Sequence, residues 1–132
     1  GWTDPTEWWG GFGPLARALL GGDASVHFER GDGRELPAAA SMLSLVAMTA
    51  LVSADAALEE EGRARATVRA VFDDDAGETG LLVDVEGPWR TTPEVPPDLA
   101  ALVGESGGRV EAGLAEDRTW RVAALWANTP EA

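Results

Sequence analysis

The stretch that decides the fold is Pro37–Glu61, with the sequence PAAASMLSLVAMTALVSADAALEEE. Pro37 suits the first turn of a helix, where its missing N–H leaves no hydrogen bond unmade, and Gly62 is a natural stop. Apolar residues recur at helical spacing between them, at Met42, Leu45, Val46, Thr49, Val52 and Ala56, and the face is widened by Leu43, Ala47, Ala50 and Leu51. A helix this apolar must be covered broadly, and we expect a sheet to cover it.

Outward from this helix, five segments alternate apolar and polar residues with the period of two that is typical of half-buried strands. They are Ala24–Arg30, Ala66–Asp73, Gly80–Glu86, Arg109–Leu114 and Thr119–Ala127. The turn formers at Asp74–Gly77 and Ala115–Arg118 separate the second strand from the third and the fourth from the fifth. The pattern therefore predicts one strand before the long helix and two β-hairpins after it.

The other segments predict two short helices and a stiff connector. Pro14–Leu20 and Asp98–Val103 carry apolar residues at helical spacing and are followed by glycines. Gly87–Pro97 contains four prolines, which neither a strand nor a helix tolerates at that density. The element order predicts an α+β fold, a two-layer sandwich in which a mixed five-stranded sheet is covered on one face by helices.

We divide the chain into a Trp/Gly-rich N-terminal segment at residues 1–13, a folded domain at 14–128 and a tail at 129–132. The length of 132 residues fits one domain. With 23 acidic against 10 basic residues the formal net charge is −13, so nucleic acid is not an expected partner. The apolar stretch is interrupted by serines, threonine and aspartate and lacks basic anchors, so we expect a soluble, cytoplasmic chain with no membrane partner.

No residue is predicted to be catalytic. The chain has no cysteine, which removes thiolate nucleophiles and cysteine-held metals. His27, the only histidine, alternates with apolar residues and is expected to face solvent on its strand. The acidic run Asp73–Asp75 with Glu78 lacks the spaced ligands of a calcium loop, so a solvated turn is the favoured interpretation and we predict no metal.

Two carboxylates, Asp84 and Glu86, share one strand face and can be interpreted in two ways. They can pair as a general acid and base. Alternatively, Arg69 on the facing strand of the hairpin neutralises them in a cross-strand salt bridge. We favour the salt bridge.

Six tryptophans and no tyrosine make the aromatic composition unusual. Trp120 and Trp126 lie at core-facing strand spacing and are expected to pack inside. An aromatic group precedes the predicted domain and is the candidate partner-binding set: Trp2, Trp8, Trp9 and Phe12. These residues either cap the open side of the sandwich or are offered to a partner, and the sequence leaves both alternatives open.

The element order, the run Glu35–Ala38 that enters the long helix, and the closing run Gly107–Gly113 (GGRVEAG) resemble the ATP-binding domain of sensor histidine kinases. This is the GHKL, or Bergerat, fold, and the resemblance spans Leu15–Ala127. Among proteins with this fold, the chain is similar in particular to the kinase-like C-terminal domain of bacterial histidine phosphotransferases. The resemblance implies that fold and a place in two-component or phosphorelay signalling.

The residues at the family's nucleotide-binding positions differ from those the resemblance would require. In the family an acid and an amide on the long helix help to hold metal and nucleotide, and the matching positions here are Ala47 and Leu51. The family's D-x-G-x-G motif falls on Val85–Trp89, so that only Gly87 is retained. The family's phosphate-binding glycines fall near Pro93–Pro97, where proline has no N–H to donate.

The degenerate pocket therefore consists of five positions: Ala47, Leu51, Val85, Gly87 and Trp89. The expectation is a non-catalytic pseudo-ATPase domain without a cofactor, which acts by binding a response regulator, a kinase or itself. Trp89 is expected to fill the vacated pocket. The alternatives are an active GHKL-type nucleotide-binding domain with an altered pocket, in which Glu86 replaces the adenine-reading Asp, and a structural homo-oligomerising subunit.

Overall fold

The computed structural model describes residues 1–20, 24–31, 33–60, 63–115 and 118–128. It contains three helices and five strands in these ranges: α1 (Pro5–Leu19), β1 (Ser25–Glu29), α2 (Ala40–Ala57), β2 (Arg65–Asp73), β3 (Glu78–Glu86), α3 (Pro97–Glu105), β4 (Arg109–Leu114) and β5 (Thr119–Ala127). The predicted α+β class is confirmed, and so are both hairpins.

The strands form one mixed sheet in the order β1-β2-β3-β5-β4. β1 pairs with β2 in parallel, and the other neighbours are antiparallel. β2, β3 and β5 are therefore the inner strands of the sheet. Alternate residues of β3 and β5 point into the core. This register places Asp84 directly opposite Arg121 and Val85 opposite Trp120.

The core lies between α2 and one face of the sheet. Seven residues of α2 are buried: Leu43, Val46, Ala47, Ala50, Leu51, Ala54 and Ala57. They are matched by fully buried residues of the sheet, which include Val68, Leu81, Val83, Val85 and Val122. Four of the seven helical residues are alanine, and small side chains let a helix lie close to a sheet.

By length and composition alone, α2 also resembles a membrane span, with a mean hydropathy of 1.5 over 18 residues. The core helix of a globular protein has the same composition, and the seven buried residues give α2 this role here.

The prediction that α1 begins at Pro14 is wrong. The helix begins at Pro5, and the side chain of Asp4 accepts a hydrogen bond from the backbone N–H of Thr6 at 2.9 Å. Asp4 and Pro5 are therefore an N-cap and a first helical residue and not a turn, and Pro14 lies inside the helix. Aromatic residues of the segment predicted to precede the fold consequently lie on a helix.

The long helix is also shorter than predicted at both ends: it begins at Ala40, after the N-cap Ala39, and not at Pro37, and it ends at Ala57. Leu58 leaves the helix and forms an isolated antiparallel bridge with Trp89. The predicted stop at Gly62 and the last predicted helical residue, Glu61, lie outside the described residues.

Gly80 is required where β3 passes β5. A Cβ at this position would lie 2.2 Å from the carbonyl oxygen of Ala124, which is a backbone atom and cannot move aside. We expect Gly80→Ala to lower the free energy of unfolding by about 2 kcal/mol or more, measured by urea denaturation.

The matched control for this substitution is Gly10→Ala. Gly10 is exposed within α1, and an added Cβ would meet nothing within 4 Å. Because glycine is a poor helix former, this change is expected to raise the free energy of unfolding by about 0.5–1 kcal/mol. Equal effects of the two substitutions would contradict the described approach of β3 to β5.

Candidate functional site

Three of the five candidate pocket positions are inside the core. Ala47 and Leu51 on α2 and Val85 near the end of β3 are all fully buried. Their side chains are hydrocarbon and carry neither a hydrogen-bond donor nor an acceptor. They contribute packing between the helix and the sheet.

The proline-rich connector is bound along its first residues to the C-terminal end of α2. Leu58 and Trp89 form the antiparallel bridge, and the backbone N–H of Glu59 donates to the carbonyl of Pro88 at 3.0 Å. The backbone N–H of Arg90 donates to the carbonyl of Ala57 at 2.8 Å. We call this docking of residues 87–91 on residues 56–59 the connector closure.

Arg90, which belongs to the connector closure, also caps the C-terminal end of α2. The last carbonyl groups of a helix have no partner within the helix. The guanidinium of Arg90 donates to the carbonyl of Ala56 at 2.7 Å, and the backbone N–H of Thr91 donates to the carbonyl of Ala57 at 3.2 Å. A cationic side chain at the C-terminal end of a helix also interacts favourably with the partial negative charge of the helix dipole there.

Trp89 lies over Gly87 at the position where the resemblance places a second glycine. A Cβ added to Gly87 would lie 2.6 Å from the indole ring, so glycine is needed beneath it. The indole N–H donates to the carbonyl of Arg118 at 2.7 Å. The ring also meets Trp120 edge to face, with 6.3 Å between centroids. Trp89 is therefore fixed by a ring contact, a hydrogen bond and the backbone of Gly87.

The N-terminal aromatic residues divide between core and surface. Trp8 and Phe12 are buried and stack on each other with 5.1 Å between centroids. The indole N–H of Trp8 donates to Ser44 Oγ of α2 at 2.9 Å. Both residues therefore pack in the core, and their binding of a partner stays a prediction.

Trp9 and Trp2 remain outside the core. Trp9 is half-buried and stacks on Phe28 of β1, with 5.2 Å between centroids. Trp2 is 49% exposed. Binding of a partner by Trp2 and Trp9 stays a prediction. Trp120 and Trp126, by contrast, are buried, as their strand spacing predicts.

A groove of about 640 Å³ opens between α1 and the first turns of α2. The residues that line it are Trp2, Thr3, Asp4, Glu7, Trp8, Gly11, Phe12, Leu15, Glu35, Ala40 and Ser44. We call it the α1 groove. The sequence pattern does not predict this groove, because it does not show residues 5–13 to be helical. The Trp and acidic residues that occur together there are the one signal of it in the sequence.

The polar residues singled out in the sequence lie apart from this groove. His27 is exposed on β1, as predicted. Asp73 accepts a hydrogen bond from the backbone N–H of Ala76 within the hairpin turn, and Asp74 pairs with Arg34 at 2.9 Å. Within the described ranges, no group of three or more His, Cys, Asp or Glu side chains is arranged to hold a metal ion.

Asp84 is neutralised, as the favoured interpretation predicts, but chiefly by an arginine that sequence analysis did not name. Arg121 binds it with two hydrogen bonds, at 2.7 and 2.9 Å, whereas Arg69 is 3.9 Å away. The hydrogen bonds that Arg121 donates to Asp84 raise the pKa of Arg121. Arg69 also reaches Glu29 at 3.5 Å. This face of the sheet thus carries a row of ion pairs.

A second group of charges lies toward the other end of the sheet. Arg109 donates to Glu78 at 2.8 and 3.0 Å and also contacts Glu111. The hydrogen bond from Arg109 holds the pKa of Glu78 below its usual value, and its acidic partners raise the pKa of Arg109. These exposed pairs are ordinary cross-strand contacts of modest energy.

The hydrogen bond of Trp89 can be tested by Trp89→Phe, which keeps an aromatic ring and removes the N–H donor. Because the carbonyl of Arg118 loses its side-chain partner, we expect the free energy of unfolding to fall by about 1 kcal/mol in urea denaturation. Trp2→Phe is the matched control and is expected to change it by less than about 0.5 kcal/mol, since Trp2 is an exposed residue. Indistinguishable stabilities for the two variants would contradict the described Trp89 contact.

No protein-family model matches the sequence, and neither does any curated protein. Solved structures do match. The catalytic domain of histidine kinase ThkA has a TM-score of 0.64 at 14% identity, with 99% of this chain and 98% of that chain covered. The mycobacterial sensor histidine kinase MprB has a TM-score of 0.60 at 18% identity, with 99% and 100% covered.

The histidine kinase domain of the blue-light activated kinase EL346 from Erythrobacter litoralis has a TM-score of 0.62 at 15% identity, with 91% of this chain and 60% of that chain covered. The similarity extends over nearly the whole of the described chain and includes the mixed five-stranded sheet and its helices. The resemblance in fold is confirmed: the chain has the α+β fold of the ATP-binding catalytic domains of histidine kinases.

Proposed function

We propose that this chain is a pseudo-ATPase form of the histidine kinase catalytic fold, which does not turn over ATP and acts as a protein–protein interaction module. The observation that carries the proposal is the connector closure. Main-chain hydrogen bonds join the connector to the end of α2, and Trp89 covers Gly87 beside it. These contacts support the proposal that the protein's own residues occupy the region that the resemblance assigns to nucleotide.

The chemistry of the candidate pocket supports the same proposal. A magnesium nucleotide needs oxygen ligands for the metal and N–H donors or cations for the phosphates. Ala47, Leu51 and Val85 present only hydrocarbon to the helix–sheet interface. The indole N–H of Trp89 already donates a hydrogen bond to the carbonyl of Arg118. These residues do not fit the nucleotide, and we derive no catalytic step through it.

The proposed partners follow from the resemblance and from the surface. The similar structures are histidine kinases, so a signalling partner in a two-component or phosphorelay pathway is the natural class, either a response regulator or a kinase. One similar structure is described as the cytoplasmic segment of histidine kinase QseC, and we place this domain in the cytoplasm on that analogy. The net charge of −13 favours a partner with a basic surface.

Isothermal titration calorimetry with ATP and Mg²⁺ tests the proposal. We expect no measurable heat up to about 1 mM nucleotide, because Ala47, Leu51 and Val85 offer neither oxygen ligands to the metal nor donors to the phosphates. The emission of the six tryptophans should also stay unchanged, since Trp89 lies in the region concerned.

A histidine kinase catalytic domain that binds ATP serves as the positive control for that titration. A micromolar Kd for this chain would contradict the proposal and favour the alternative, a nucleotide-binding domain with an altered pocket. Hydrolysis of ATP by the purified chain would contradict it more strongly.

A further inference from the structure

We infer that the α1 groove is the site where this domain binds a basic amphipathic helix of its partner protein. The inference rests on the proposed role as an interaction module and adds to it the place of binding and the chemistry of the partner. It is carried by three observations: the shape of the groove, the apolar side chains left exposed at it, and the charge of its rim.

The shape of the groove suits a helix. It lies between two helices and has a volume of about 640 Å³, within the range of about 300–1,000 Å³ that ligand sites occupy. Its lining extends along α1 from Asp4 to Leu15. At 1.5 Å per residue this is about 16 Å, or three helical turns. A partner helix of three to four turns presents apolar anchors at i, i+4 and i+7 over that length.

The walls of the groove leave apolar surface without cover. Trp2 and Leu15 each remain 49% exposed, and both line the groove. Ser44 lies on its α2 side, and Met48 follows Ser44 by one helical turn and is also exposed. Trp and Met are residue types that protein interfaces favour, and Trp is frequent among the residues that contribute most to binding.

The rim of the groove carries negative charge. Asp4, Glu7 and Glu35 line it, and Glu7 and Glu35 are exposed. Among the residues that the structure describes, no ion pair or hydrogen bond engages the carboxylates of Glu7 and Glu35. Carboxylates that flank an apolar floor fit a helix whose apolar stripe is bordered by Arg or Lys.

The same charges argue against a second copy of this chain as the occupant. The chain has no lysine, and its ten arginines are outnumbered by 23 acidic residues. Two such molecules repel each other, and like charges at an interface suppress association. A basic partner is therefore the occupant that the surface fits.

A synthetic peptide tests the site. The probe is a fluorescein-labelled helical peptide with leucines at i, i+4, i+7 and i+11 and arginines on both sides of the leucine stripe. We expect micromolar binding by fluorescence anisotropy, with an affinity that falls as NaCl is raised. Trp2→Ala, and separately the pair Glu7→Gln with Glu35→Gln, should each weaken binding at least about fivefold.

Matched controls separate the groove from general charge attraction. Leu114→Ala removes an equally exposed apolar residue from β4, and Glu105→Gln removes an exposed carboxylate of α3. Neither should change the affinity, and circular dichroism checks that all variants fold. A peptide with glutamate in place of arginine should not bind.

Two outcomes would overturn the inference: no binding of the basic peptide, or binding that the groove and control variants weaken equally. Either result leaves the pseudo-ATPase proposal standing, because the nucleotide titration tests that proposal independently. Conversely, micromolar binding of ATP would contradict the proposed function and leave the measured peptide site intact.

Discussion

The structure depends on the need to cover α2. This 18-residue helix has no charged residue before Asp55, and seven of its side chains are buried. Burial of a single Val or Leu side chain contributes about 1.5–3 kcal/mol, so an uncovered α2 would forgo most of the stability of a domain this size. The sheet covers one side of it, α1 contributes Trp8 and Phe12 to the same core, and the connector covers its end.

The C-terminal end of α2 is covered by the connector. A helix terminus leaves carbonyl groups without partners, and here the connector supplies them through the backbone of Arg90 and Thr91 and the guanidinium of Arg90. Trp89 is brought over Gly87 by the same docking and finds its own acceptor in Arg118. We propose that the connector has a structural role in this chain and that a partner is recognised at the α1 groove.

The sheet could be predicted well from sequence because its signal is local. β4 and β5 have the predicted bounds, since turn formers flank them and the period of two can be read within a few residues. The start of α1 could not be predicted by the same means, because Asp4 and Pro5 are also turn formers and the glycines that follow Trp9 are poor helix formers. The Arg121 partner of Asp84 depends on register, and the α1 groove depends on the packing of two helices; neither is present in a local pattern.

We propose that Trp89, held by the carbonyl of Arg118, occupies the region where the resemblance places the nucleotide. The most direct test is the ¹⁵N-labelled indole N–H resonance of Trp89, assigned with Trp89→Phe. We expect no change in its chemical shift when Mg-ATP is added, because nucleotide does not enter this region. A shift of this resonance that saturates at micromolar nucleotide would contradict the proposal.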